Sequence, residues 1–296
     1  MSDKKRYISN RISLLLLVVL TLLGALDICT SFFLKNLTNV EKIIIYVIIF
    51  IIPIIVYTRL SKAKAKNIMS LHHVKARYLP FILLFGLSTS VICALINVGS
   101  AALFKNFFDI SMSTSTVSFV SDKTYVTVIA LVIMPAVCEE LLLRGVALSE
   151  YSRYGVSISV IMTAIIFALF HGNVVTIPSL FVAGVFYAVL THLFKSVWPS
   201  ILCHIINNAL AVFISANSDY ISYLLQDVIF VVIIVCAVFL ILYLTLRLTE
   251  KIIDELGSKN RLKTNVKRLA YGDPLGSIYI WIFFAVSIFI CVRNIL

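Results

Sequence analysis

The sequence predicts an all-α protein, a polytopic transmembrane helical bundle of about eight to nine spanning helices. Three observations carry this. The 296 residues are 61% hydrophobic and only 13% charged, whereas soluble domains are about half apolar and about a quarter charged. The apolar residues gather in long runs, and mean hydropathy is +1.04. Lys and Arg gather in alternate loops between those runs. No stretch calls for a water-soluble domain. The formal net charge of +11 would suggest a nucleic-acid partner in a soluble protein. Here the basic residues sit in short loops, where membrane topology accounts for them without nucleic acid.

The runs lie near 12–33, 43–58, 78–104, 125–148, 156–171, 177–195, 198–215, 223–248 and 277–294. A spanning helix needs about 20 mostly apolar residues, so the second run is short enough to be shallow or re-entrant. The N-terminal "MSDKKRYISNR" and "ISLLLLVVLTLLGAL" look like a signal peptide. However, the apolar run continues to Phe33 without a small-x-small cleavage site, which favours a retained first helix. Lys4, Lys5, Arg6 and Arg11 precede it; the 59–77 loop and the 249–276 loop are also rich in Lys and Arg. Loops 34–42, 105–124, 172–176 and 216–222 are poor in them. This alternation fits a multi-pass protein of the cell membrane with a cytoplasmic N-terminus, an external C-terminus and an external 105–124 loop. The chain divides into N-terminal transmembrane helices (1–124), a core richer in intramembrane polar residues (125–215) and C-terminal transmembrane helices (216–296). Cys29, Cys93, Cys138, Cys203, Cys236 and Cys291 stand singly in apolar runs and read as small buried hydrophobes.

Ionisable residues inside a membrane cost at least about 2.5 kcal/mol at the bilayer centre, so each one is a lead. They concentrate between 139 and 208. In "AVCEELLLRG", Glu140 and Arg144 are four residues apart and share a helix face. Glu139 points away from that pair and is free to face a cavity as a base. One structural ion-pair network of all three is the competing reading. Pro135 removes a backbone donor just upstream and is expected to kink the helix. His171 closes the apolar run of "FALFHGN". In "WPSILCHIINNAL", Trp198 and Pro199 read as an interfacial anchor and a helix start. There His204 and Asn208 share a face, with Asn207 a competitor for the same role. Gly184 and Ala188 have the small-x-x-x-small spacing of close helix packing, and His192 reads as structural too. Asp27 and Asp227 are weaker leads without a partner that spacing identifies. H-E-x-x-H, G-x-S-x-G and a phosphate-cradling glycine loop are all absent.

E-E-x-x-x-R, then F-x-x-x-H, then H-x-x-x-N, each on its own hydrophobic segment, is a combination that resembles the CAAX protease and bacteriocin-processing family (CPBP, or Abi), which includes type II CAAX prenyl endopeptidases. The matching stretch covers about 125–213. The resemblance implies an intramembrane endopeptidase. Glu139 would activate a water helped by His171, and Glu140–Arg144 would hold the helix. His204 and Asn208 would stabilise the oxyanion, with Phe167 filling the aromatic position. It implies a membrane-associated peptide or protein substrate within the lipid bilayer, either prenylated or of bacteriocin or pheromone type. Two mechanisms remain: a metal-free one, which the reading favours, and one with zinc or another divalent metal on Glu139, His171 and His204. Two other functions compete, a proton-coupled transporter and a non-catalytic immunity or scaffold protein. The first lacks a visible repeat; the second is disfavoured by the complete motif set. One tension stands. Counted at about 1.5 Å per residue, His171 lies several ångströms deeper than Glu139 unless the helix carrying the Glu pair runs past Leu148 towards Tyr154.

Overall fold

The computed structural model describes residues 2–32, 38–61, 68–110, 124–224, 228–261 and 274–294. Among these residues there are ten helices and no strand. They are α1 (Ser2–Phe32), α2 (Asn39–Leu60), α3 (Leu79–Phe108), α4 (124–151, in five successive pieces), α5 (Val156–Phe170), α6 (Ile177–Phe194), α7 (Trp198–Ala216), α8 (Ser218–Leu224), α9 (Val228–Arg261) and α10 (Ile278–Arg293). Five stretches are long and apolar enough to cross a bilayer: Ile43–Leu60, Ala76–Phe108, Ile177–Phe194, Trp198–Ala216 and Val231–Leu256. Asn10–Leu26, Val156–Phe170 and Ile278–Arg293 are shorter apolar helices. The chain is an all-α membrane protein. The run read as short, 43–58, belongs to a helix of spanning length.

Local chemistry explains the helix starts. Thr38 caps α2 in a reciprocal box: Glu41 N–H donates to Thr38 Oγ1 at 3.3 Å, and Thr38 N–H donates to Glu41 Oε2 at 2.8 Å. That backbone N–H holds the Glu41 carboxyl below its ordinary range. Pro80, Pro178 and Pro199 open α3, α6 and α7 from their first turns, where a missing N–H costs nothing. α9 departs from the sequence reading, which ended its run at 248. It continues through "TEKIIDELGSKNR" to Arg261. That segment is rich in helix formers, and Leu256 still packs on the core. The loop expected at 105–124 is described only at its start, and residues 111–123 lie outside the described residues.

α3 packs against α6, α7 and α9, while α1 packs against α2 and α10. The core joins them through Ile12, Leu16 and Val19 of α1, Phe50 and Ile54 of α2, Phe81 of α3 and Phe283 of α10. α5 and α6 pack extensively and closely. A Cβ placed on Gly184 would lie 2.8 Å from Ala164 Cα, so only glycine permits this spacing. Only 6% of the Val231–Leu256 window of α9 is buried, so this helix is peripheral and presents Ile229, Ile233 and Phe239 outward.

Candidate active site

α4 carries the first motif, and its backbone is irregular around it. Ile129–Ile133 and Leu141–Ala147 are π-helical; between them Met134–Glu140 is α-helical. Met134 N–H donates to Ile129 O. Pro135 follows at once, so the widened turn occurs where the proline removes a donor. Glu139 and Glu140 end the α-helical piece, and a second widened turn begins after them. Such π turns often occur at functional sites. α4 continues past Leu148 to Tyr151, and a 3₁₀ turn reaches Tyr154. This relieves the expected depth mismatch, and His171 stands beside Glu139.

The Glu140 side of the site is closed. Glu140 and Arg144 side chains are both 0% exposed, with Arg144 Nη1 donating to Glu140 Oε1 at 2.9 Å. Arg144 Nη2 donates to Gly184 O at 3.1 Å, which ties α4 to the α5–α6 crossing. The guanidinium carbon lies 4.5 Å from the Phe167 ring centroid and 5.4 Å from that of Tyr187. Phe167 therefore has a physical task in its motif: its face covers the buried cation. His204, buried on α7, donates from Nδ1 to Glu140 Oε1 at 3.1 Å and stacks on Tyr187 at 5.3 Å. Glu140 thus serves two donors from two helices.

The Glu139 side is open. The Glu139 side chain is 13% exposed and that of His171 is 33% exposed. Tyr46 OH, from α2, donates to Glu139 Oε1 at 2.8 Å. Glu139 Oε2 is buried, accepts no hydrogen bond from the described residues, and lies 4.0 Å from His171 Nε2. His171 Nδ1 donates to Phe167 O at 2.9 Å. A carbonyl can only accept, so the neutral ring keeps its lone pair on Nε2, facing Glu139. The turn that presents His171 follows the end of α5 at Phe170 and is fixed by Gly172, whose φ of +59° a side chain would resist. Asn294, after α10, donates from Nδ2 to Gly172 O at 2.8 Å.

Asn208 is not drawn to the Glu139–His171 edge. Its Nδ2 lies 3.5 Å from Val132 O, a long hydrogen bond to the first π turn of α4. Asn207 is half-buried beside it. His192 Nε2 lies 3.0 Å from Ser159 Oγ and links α6 to α5. The Asp27 side chain and the whole of Asp227 lie outside the described residues.

Glu139, His171 and His204 do not fit a zinc ion as arranged. Among the described residues no three His, Cys, Asp or Glu side chains stand close enough to hold a metal. Tetrahedral zinc with about 2.0–2.1 Å bonds needs donors about 3.3 Å apart. Glu139 Oε2 and His171 Nε2 are 4.0 Å apart, wider than that spacing.

Sequence reasoning missed two residues, Tyr46 and Tyr187. Each is a tyrosine set inside an apolar run, and a phenol there needs a polar partner or a special packing reason. That signal was present, but it names no partner.

Residues 121–210 match the family model described as type II CAAX prenyl endopeptidase Rce1-like. The match spans under a third of the chain and covers the three motifs. No curated protein and no solved structure matches the chain.

Proposed function

From the match of residues 121–210 to the type II CAAX prenyl endopeptidase Rce1-like family, we propose that this membrane protein is an intramembrane endopeptidase that hydrolyses a peptide bond with water activated by Glu139 and His171. One observation carries the reading: Glu139 Oε2 is buried, accepts no hydrogen bond from the described residues, and faces the Nε2 lone pair of His171 across 4.0 Å. A water about 2.8 Å from both acceptors donates one hydrogen to each at roughly a right angle, close to its own geometry. The exposure on this side lies with His171, 33% exposed, and that is the edge along which the water and the substrate carbonyl would enter.

The step follows general-base chemistry. Glu139 takes a proton from the water while the water oxygen attacks the scissile carbonyl carbon. The new C–O bond pushes the carbonyl electrons onto oxygen. His204 and Asn208 serve this oxyanion. Asn208 does so by exchanging its long bond to Val132 O for the substrate; His204 Nε2 is a donor when the ring carries both protons, with Glu140 beside Nδ1. When the intermediate collapses, the C–N bond breaks and the proton held by Glu139 passes to the leaving nitrogen. Glu140, Arg144, Phe167 and Tyr187 hold His204 and α4 in register. The substrate is a membrane-anchored peptide, of prenylated CAAX type or of bacteriocin or pheromone type, reaching the site from the cytoplasmic side.

The test uses purified protein in liposomes with a panel of farnesylated and unprenylated lipid-anchored peptides. Wild type cleaves at least one peptide, and Glu139→Gln, with the same fold and melting temperature, cleaves none. Undiminished cleavage by Glu139→Gln, or no cleavage of any peptide by wild type, overturns the proposal.

A further inference from the structure

We infer that Tyr46 is a positioning residue for the Glu139 carboxylate, supplied by a helix outside the segment that matches the endopeptidase family; the inference rests on Glu139 acting as the base. Tyr46 lies on α2, within the Ile43–Leu60 span of mean hydropathy 2.6. A phenol in such a run needs an acceptor, because the bilayer core offers none. It finds Glu139 Oε1 at 2.8 Å, across 93 residues of sequence. The Tyr46 ring is itself fixed by packing on Phe50, with centroids 4.8 Å apart.

The consequence lies in which carboxylate oxygen remains. A glutamate has a freely turning terminal torsion, and its two oxygens are interchangeable until something distinguishes them. Tyr46 engages Oε1. Oε2 is left as the oxygen facing His171 Nε2 at 4.0 Å. Glu140 is fixed in the corresponding way by Arg144 and His204. Each member of the acidic pair therefore has its own anchor; Oε2 is unpartnered in both, but Glu140 is 0% exposed, whereas Glu139 Oε2 faces His171, which is 33% exposed. Tyr46 acts on the reaction through Glu139. A donated hydrogen bond also makes the carboxylate a slightly weaker base, which opposes the gain from orientation. Orientation outweighs this: misplacing a reacting group by about 1 Å costs up to a hundred-fold in rate.

A purely mechanical alternative has the same contact simply fastening α2 to α4. Tyr46→Phe separates the two, because it keeps the ring and its packing on Phe50 and removes only the O–H. The expected result is a fall in kcat of about ten- to a hundred-fold with KM, folded yield and melting temperature unchanged. Infrared difference spectra of the unliganded protein, wild type minus Tyr46→Phe, give a second readout that needs no substrate. They should show a carboxylate stretching band that shifts, and the shift should vanish when the same pair is compared in a Glu139→Gln background. Wild-type kcat in Tyr46→Phe overturns the inference, as does a carboxylate band that does not move. A lowered melting temperature with unchanged kcat also overturns it, in favour of the fastening role. Cleavage retained in Glu139→Gln defeats the base assignment itself, a different outcome from any of these.

Discussion

Two adjacent glutamates have opposite surroundings, and the difference follows from one residue of helix rotation. Glu140 turns inward to Arg144 and His204 and is wholly buried; Glu139 turns towards Tyr46 and His171 and keeps some exposure. Their neutral analogues should therefore fail in different ways. Glu140→Gln leaves the Arg144 guanidinium buried with its charge unmatched, and breaking such a pair costs about 3–5 kcal/mol. Expected is a large drop in melting temperature and in the monodisperse fraction after detergent extraction, whereas Glu139→Gln keeps both. A Glu140→Gln protein as stable and active as wild type would show that the two carboxylates have been assigned the wrong way round. The sequence made this split legible, because i,i+4 spacing already separates the residue that can reach Arg144 from the one that cannot. It left Tyr46 unseen. A hydrogen bond that closes 93 residues of chain leaves no periodic trace in either segment.

At the scale of the helices, the site depends on how closely α5 and α6 approach. Gly184 sets that distance and its carbonyl also accepts from Arg144 Nη2 at 3.1 Å, so one backbone position serves packing and the ion pair together. Gly184→Ala places a methyl 2.8 Å from Ala164 Cα, a backbone atom that cannot yield without separating the helices. Overpacking of this kind costs about 1–3 kcal/mol. Gly99→Ala in α3 is the matched control, since a Cβ there meets nothing within 4 Å, and removing a mid-helix glycine is worth roughly 0.5–1 kcal/mol of stability. Thermal unfolding in one detergent should lower the first variant and leave the second equal to or above wild type. Equal melting of the two would mean that the crossing is looser than its geometry. Small-x-x-x-small spacing foretold the close approach, but not the partner residue, which depends on how α5 and α6 rotate against each other. The continuation of α9 to Arg261 was not legible either. Hydropathy marks where a helix leaves the apolar core, while helix propensity and the packing of Leu256 decide where it ends.

Over the whole molecule, the described parts of the segments rich in Lys and Arg meet at one end of the bundle. Arg77 pairs with Glu255, and Tyr78 OH donates to the same carboxylate at 2.9 Å, which joins the start of α3 to the extension of α9. Val197 N–H donates to Ser70 O at 3.1 Å, and Ser196 Oγ donates to His72 O at 2.6 Å, so the α6–α7 turn lies at that end too. Arg11 lies over the Tyr57 ring at 5.4 Å, near the end of α2. Arg11 and Arg77 belong to the loop-charge pattern itself, but Tyr57, Tyr78, Ser196, Glu255 and the Ser70, His72 and Val197 backbone do not, and their contacts group the same segments that the pattern assigns to one side of the membrane. Positive loops stay in the cytoplasm because Lys and Arg resist translocation. The end bearing 68–77, 195–197 and 255 is therefore predicted to be cytoplasmic. A topology reporter fused after residue 76 should read as cytoplasmic. The same reporter fused after residue 115, in the Lys-poor stretch following α3, should read as external. α3 then crosses once between them, as its apolar length allows. In that predicted orientation α4 would run back from the external side and end with Tyr151 at the cytoplasmic end. A substrate delivered from the cytoplasm would then meet the Glu139–His171 edge partway down the bundle. Inverted reporter signals would overturn the orientation and require peptides delivered from the outside, while identical signals at both positions would show that α3 does not cross.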